Sequence, residues 1–252
     1  MISRNKIKLI HSLEQKKYRK KEGLFVAEGP KIINELLQSM KCTWLIHVPE
    51  YTLPQQTAFP IDEVETCSKD ELHKVSFLST PQEVIATFKI PEFSYQKEWI
   101  SNELCLGLDG IQDPGNLGTI IRIADWFGIN NIFCSMQTAD AFSPKTIQAT
   151  MGAISRVKVH YTDLIELING LPQDTPVYGT LLDGNSIYEQ ELKNQGLLIM
   201  GNEGNGLTPE IREKVKARLY IPSYPKDSET SESLNVGVAT AILCAEFRRR
   251  MN

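Results

Sequence analysis

Asn116 and Arg122 stand six residues apart in "GLDGIQDPGNLGTIIRIADWFGI" (107–129), and Arg122 is set among Ile120, Ile121, Ile123 and Ala124. A guanidinium offers five N–H donors and a fixed positive charge, which suits gripping a phosphate or steadying an oxyanion. Gly118 lies one helical turn before Arg122, and its missing side chain would leave room for a ligand to approach the backbone. The same charge could also pair with Asp125 at i+3 on a solvent stripe. A second group is "LLIMGNEGNGLTPEI" (197–211), where an apolar strand feeds a turn holding Gly201, Glu203, Gly204 and Gly206. Glycine-rich turns at the carboxyl end of a strand let a ligand touch the backbone. No lysine follows Gly206, so the Walker pattern fails, and the dinucleotide GxGxxG spacing is absent. Glu203 would also repel a pyrophosphate. An adenosine ligand without phosphate suits this turn; the alternative is a tight turn and nothing more. The third group is "SLNVGVATAIL" (233–243), where Ser233 and Asn235 can present a hydroxyl and an amide at a helix start. Taken alone, it is an ordinary capped helix.

These groups need a scaffold, and the chain alternates strand-like and helix-like segments as α/β proteins do. The spacing predicts one helix over 4–20, a strand at "LFVAEG", a helix opened by Pro30, and strands at "TWLIHV", "DEVETC" and "EVIATFKI". Residues 89–103 lose periodicity and read as a linker. A second α/β unit follows, with strands at 104–108, 131–134, 157–160, 176–181, 197–200 and 219–221. Asn116 is the expected N-cap of a helix over 117–127 that Gly128 stops. Arg248, Arg249 and Arg250 suit the negative end of the last helix. The expected division is a smaller domain over 1–95 and a catalytic domain over 96–252.

Composition narrows the function classes. The chain of 252 residues is 41% hydrophobic and 23% charged, ordinary for a globular protein. No apolar run nears the roughly 20 residues that span a membrane. Five scattered cysteines without a CxxC pair point to reduced thiols in the cytoplasm, and no residue spacing suggests a metal site. The net charge of -4 hides an asymmetry: residues 1–21 carry eight basic residues against Glu14 alone. That basic end is either a footprint for a polyanion, with Arg4, Lys6, Lys16, Lys17, Arg19 and Lys20 as candidate RNA contacts, or a solvated helix face.

In this order the three groups resemble the SpoU (TrmH) branch of the SPOUT RNA methyltransferases. Asn116 and Arg122 match its first motif, Gly201, Glu203, Gly204 and Gly206 its second, and Ser233, Leu234, Asn235 and Val236 its third. The resemblance covers roughly 104–250, and the first part looks like the L30e-like substrate-binding domain of many relatives. It implies an α/β fold with a C-terminal trefoil knot, a homodimer, S-adenosyl-L-methionine as methyl donor and a ribose 2′-hydroxyl of RNA as acceptor. The first domain favours ribosomal over transfer RNA; a transfer RNA enzyme and a silent RNA-binding protein of this fold are the rivals. By the same resemblance the cofactor lies near Thr180, Gly201, Ile221 and Leu234. Arg122 would orient the acceptor phosphate and stabilise the developing oxyanion, or else act as a base after losing its proton. Asn116, Glu203, Ser233 and Asn235 would hold that arrangement. Two departures from the family pattern are the polar loop between Ile221 and Ser233 and Gly237, where serine is frequent.

Overall fold

The structure, a computed structural model, describes residues 2–225 and 233–250. The chain forms two compact units, Met1–Glu92 with Asp140–Arg156, and Phe93–Ala139 with Val157–Asn252.

The first unit opens with α1 (Arg4–Ser12) and α2 (Lys16–Glu22). One helix was expected across this span, but the chain breaks between them at residues 13–15. Arg19 supplies the reason: its Nη1 donates to the Leu13 and Glu14 carbonyls, each at 2.7 Å, groups that the break strips of helical partners. Gly23, at φ 64, then turns the chain out of α2. There follow β1 (Leu24–Glu28), α3 (Pro30–Leu36), β2 (Cys42–His47), β3 (Glu63–Thr66), α4 (Lys69–His73) and β4 (Val84–Lys89). The sheet runs β1-β4-β2-β3, with β4 antiparallel to both neighbours and β2 parallel to β3. Ile10, Leu13, Val26, Trp44, Ile46 and Ile85 lie in its core.

The second unit contains α5 (Glu98–Asn102), β5 (Leu104–Asp109), α6 (Pro114–Trp126) and β6 (Asn131–Cys134). The supposed linker is partly structural. Ile100 on α5 is fully buried, and the Tyr95 ring stands edge-on to Phe133 at 5.2 Å. After β6, residues 140–156 pack with the first unit and carry α7 (Pro144–Thr150). There the Phe142 ring lies 5.0 Å from Phe25, and Asp140 meets Arg19 at 2.6 Å. A single cut at 95 assigns this stretch to the second domain, because apolar residues carry no mark of which core they join. The chain then forms β7 (Lys158–Tyr161), α8 (Leu164–Asn169), β8 (Val177–Ser186), β9 (Gly196–Gly201), α9 (Pro209–Lys214), β10 (Ala217–Tyr220) and α10 (Val236–Arg249).

The six strands are all parallel in the order β10-β8-β9-β5-β6-β7. Central β5 and β9 are buried along their whole length, as their apolar runs require, with Asp109 a buried acid at the end of β5. Helices α6 and α10 pack together. Arg248 caps α6 by donating to the carbonyls of Phe127 at 2.6 Å and Gly128 at 3.0 Å. Arg249 and Arg250 both bind Glu246, and the Arg249 hydrogen bond foremost draws its carboxyl down to about 2. His160 is buried against Phe133, with Nε2 3.0 Å from Asn131 Oδ1, and desolvation together with nearby Lys158 pushes its imidazole down to about 4. Among the described residues no helix is long and apolar enough to cross a membrane, and the five cysteines are free and buried.

Candidate active site

The site is built at the carboxyl ends of β5 and β9 and at the starts of α6 and α10. Asp113, not Asn116, caps α6: its Oδ1 accepts from Asn116 N at 2.9 Å, with Pro114 in the first turn. The residue before a proline is driven to extended backbone, which places the cap at Asp113. Asn116 is thereby on the first turn of the helix, and its amide faces two other motifs. Asn116 Nδ2 donates to Glu203 Oε1 at 2.9 Å, and Asn116 Oδ1 accepts from Asn235 Nδ2 at 3.0 Å. Asn235 caps α10 with its own Oδ1, accepting from Gly237 N at 2.9 Å and Val238 N at 3.3 Å. One amide therefore joins residues 87 and 119 positions away.

The glycine turn is closed by Asn202, which sequence reasoning passed over. Its backbone exchanges two bonds of 2.9 Å with Gly206, and its Oδ1 accepts from Gly204 N and Asn205 N. Asn202 Nδ2 also donates to the Gly110 carbonyl at 2.7 Å. The exit of the turn is held by Asp109, a second residue not anticipated, whose Oδ2 accepts from Thr208 N at 2.7 Å. The available signals were an asparagine in a glycine-rich turn, which favours side-chain-closed turns, and an acid ending an apolar strand. Gly201 has a structural role in the turn itself. A Cβ there would lie 2.5 Å from Leu207 N and collide with Gly206, so the missing side chain admits the turn's own backbone. Gly237 is likewise pressed against Thr119 of α6, 3.0 Å from a built Cβ.

Arg122 is exposed on α6, while Ile120, Ile121 and Ala124 are buried. Its guanidinium makes no hydrogen bond or ion pair with another described residue. Gly118, one turn before it, is buried. Thr180 donates from Oγ1 to the Ile199 carbonyl at 3.4 Å, linking β8 to β9 beside the turn. Ile221 is half-buried just past β10, and Ser233 and Leu234 are exposed before α10. Among the described residues no hydrogen bond joins Ile221, Ser233 or Leu234 to the Asn116 cluster, and residues 226–232 of the polar loop lie outside the described residues.

The candidate RNA contacts divide. Arg19 is only 3% exposed, and its donors are spent on Leu13, Glu14 and Asp140, so it cannot meet a phosphate. Lys6 is bonded to Glu63 and Glu65 and lies 4.3 Å over the Trp44 ring. Clustered positive charge was the sequence signal, and it does not distinguish a buried fork from a solvated one. Arg4, Lys16, Lys17 and Lys20 are exposed.

Residues suited to hold a cofactor are those of a tight, exposed glycine turn with Thr180 at its side and the apolar side chains of Leu182 and Leu234 in solvent. No basic residue falls within 197–211, which suits a nucleoside without phosphate. Among the described residues no group of three or more His, Cys, Asp or Glu could hold a metal.

The SpoU rRNA Methylase family matches residues 103–245, and the MRM3-like substrate binding domain matches residues 4–86. RlmP, a 23S rRNA (guanosine(2553)-2′-O)-methyltransferase of Bacillus subtilis (strain 168), is 34% identical over 251 residues, covering 96% of each chain. A solved structure assigned to the TrmH family of RNA methyltransferases, from Porphyromonas gingivalis, superposes with a TM-score of 0.87 at 40% identity over 99% of both chains. An AdoMet-bound rRNA methyltransferase from Sinorhizobium meliloti gives 0.85 at 29% identity, covering 100% of this chain and 98% of that one. The chain belongs to the SpoU family of rRNA methylases and has the α/β fold of its solved relatives.

Proposed function

We propose that the protein methylates a ribose 2′-hydroxyl of ribosomal RNA, of the 23S type, with S-adenosyl-L-methionine as donor. The observation that carries this reading is the Glu203–Asn116–Asn235 chain of hydrogen bonds, which brings the three motifs to one place. Bound S-adenosylmethionine supplies an electrophilic methyl group on a sulfonium. The glycine turn, Thr180, Ile221 and Leu234 would hold its adenosine and methionine parts. Glu203 and Asn235 fix Asn116, Ser233 flanks the start of α10, and together they would shape the acceptor pocket.

Arg122 is the proposed catalytic residue. A ribose hydroxyl is a weak nucleophile whose oxygen gains negative charge as its proton departs. A guanidinium that no described residue engages can grip the adjoining phosphate and stabilise that charge. RNA affinity would come chiefly from Arg4, Lys16, Lys17 and Lys20.

The reading includes a homodimer. The exposed faces of α6 and α10 carry Trp126 at 85% exposure, Val238 and partly open Ile123 and Ile242, an apolar surface of the kind a second copy covers. It also includes a trefoil knot in the chain after the glycine turn, and action in the cytoplasm. RlmP, whose name specifies 23S rRNA, supports ribosomal over transfer RNA through its full-length match. The test is methyl transfer by the purified protein to 23S rRNA from cells lacking its gene, beside transfer RNA from the same cells. Label in the ribosomal RNA at one nucleotide is expected; label confined to transfer RNA would contradict the assignment.

A further inference from the structure

Strand β8 is paired with β10 at Tyr178↔Ala217 and Gly179↔Arg218, then at Asn185↔Leu219 and Ser186↔Tyr220. Residues 180–184 leave the ladder between those pairs, far more than the single extra residue of an ordinary bulge. Three anchors hold this excursion. Leu181 packs against the apolar cluster of the second unit. Gly184 is pressed on β10, where a Cβ would lie 2.7 Å from Leu219 C and 2.9 Å from its carbonyl oxygen. Between them Asp183 Oδ2 accepts from Arg212 Nη2 on α9 at 2.5 Å and from Arg218 Nη1 on β10 at 3.2 Å. Leu182 is held outward at 71% exposure.

The partners of Asp183 are not arbitrary surface residues. The excursion begins at Thr180, α9 follows directly on the glycine turn, and β10 leads into Ile221. One carboxylate oxygen thus ties together the three segments that carry three of the proposed cofactor contacts. Both ion pairs are about half exposed, so they add little to global stability, and their effect is local. We infer that Asp183 is a positioning residue for cofactor binding, acting through Arg212 and Arg218 and resting on the cofactor reading above. It sets where the excursion stands against the glycine-turn helix, and it touches neither acceptor nor methyl group.

The experiment is calorimetric titration with S-adenosylhomocysteine of wild type, Asp183→Asn, Arg212→Gln/Arg218→Gln, the triple variant, and Glu213→Gln as an exposed control on α9. Asp183→Asn keeps the shape and removes the charge. It should weaken binding about 5- to 20-fold, and the triple variant should be no worse than either parent, as for groups acting through one another. The KM for the methyl donor should rise to match while kcat at saturating donor stays within about twofold, since the chemical step is untouched. Wild-type binding should weaken with salt, and the Asp183→Asn variant should lose that sensitivity. The melting temperature should stay within about 2 °C of wild type, which separates positioning from general loosening. Unchanged affinity in Asp183→Asn, or an additive triple variant, would overturn the role of Asp183 while leaving the cofactor reading standing. Absence of binding to wild type would overturn both.

Discussion

Arg19 in the first unit stands in a helix among lysines, Arg122 in the second stands in a helix among isoleucines, and the fold treats them oppositely. Arg19 is buried with its guanidinium shared among two carbonyls and Asp140. Arg122 is exposed with no bond to another described residue. A buried fork satisfied on every side is a fastening: it closes the break between two helices and binds the 140–156 stretch to that unit. A fork that no described residue engages is available to a ligand. Charge in the sequence is therefore poor evidence of chemistry until its partners are known.

The contrast breaks first at Arg19. Arg19→Ala would leave Asp140 and two carbonyls without their donor and should cost about 3–5 kcal/mol of stability by urea unfolding, as removal of one member of a buried pair does. RNA affinity of the folded fraction should not change; normal stability with lost RNA binding would reverse the assignment of this residue.

The second unit has a structural titrating group of its own in His160. Its folded value near 4 lies below the ordinary 6.5, so the unfolded chain takes the proton first as pH falls. Stability from this group is intact above about pH 6.5 and is lost progressively toward pH 4, by about 3 kcal/mol in full. The check compares unfolding of wild type and His160→Phe from pH 7.5 to 4.5. The variant should lose less stability over that range, and parallel curves would show that His160 is not the titrating group.

Asn116→Ala separates organising from fastening in the site itself. It removes the amide that Glu203 and Asn235 share, and should slow methyl transfer about 30- to 100-fold, roughly 2–3 kcal/mol. The melting temperature should fall by only about 2–4 °C, since these groups are near solvent and can rehydrate. A large loss of stability with normal kcat would make the cluster a fastening like Arg19.

The smallest effect is expected from the exposed lysines of the first unit that form no ion pair with a described acid. Lys17→Gln/Lys20→Gln should weaken RNA binding about 3- to 10-fold at low salt and flatten its salt dependence by up to about two counterions. Lys6→Gln, whose charge is already spent on Glu63 and Glu65, should leave that slope unchanged. Equal effects from the two variants would mean that exposure does not sort these lysines.

These comparisons show where the sequence was informative. The three motifs were legible because each is local: an Asn-to-Arg spacing, a glycine turn and a capped helix start. Central β5 and β9 of the parallel sheet were legible as apolar runs. What joins the motifs was not, because Asn116 meets partners 87 and 119 residues away, and no periodicity encodes such a meeting. Asn202 and Asp109 were missed since their work is done on the backbones of Gly110 and Thr208. The α6 cap stands at Asp113, three residues before Asn116, because Pro114 holds the residue before it in extended backbone, and this outweighs the capping preference of an asparagine. The excursion at 180–184 depends on where β10 pairs, some 35 residues onward, which the strand pattern cannot disclose.

The central claim is that Arg122 serves the acceptor in transfer to a ribose oxygen. Methylation of a 2′-oxygen removes the nucleophile that alkali needs to cleave the adjoining phosphodiester. Ribosomal RNA from cells lacking the gene is treated with the methyl donor and wild-type protein, Arg122→Ala or Arg122→Lys, and read as an alkaline ladder. Wild type should create one resistant position. Arg122→Ala should form it about 100- to 1000-fold more slowly with unchanged cofactor affinity, as loss of one oxyanion-stabilising group does. Arg122→Lys should also fail, because an ammonium lacks the planar fork. A methylated product that alkali cleaves at every position, or a near-normal rate in Arg122→Ala, would contradict the account.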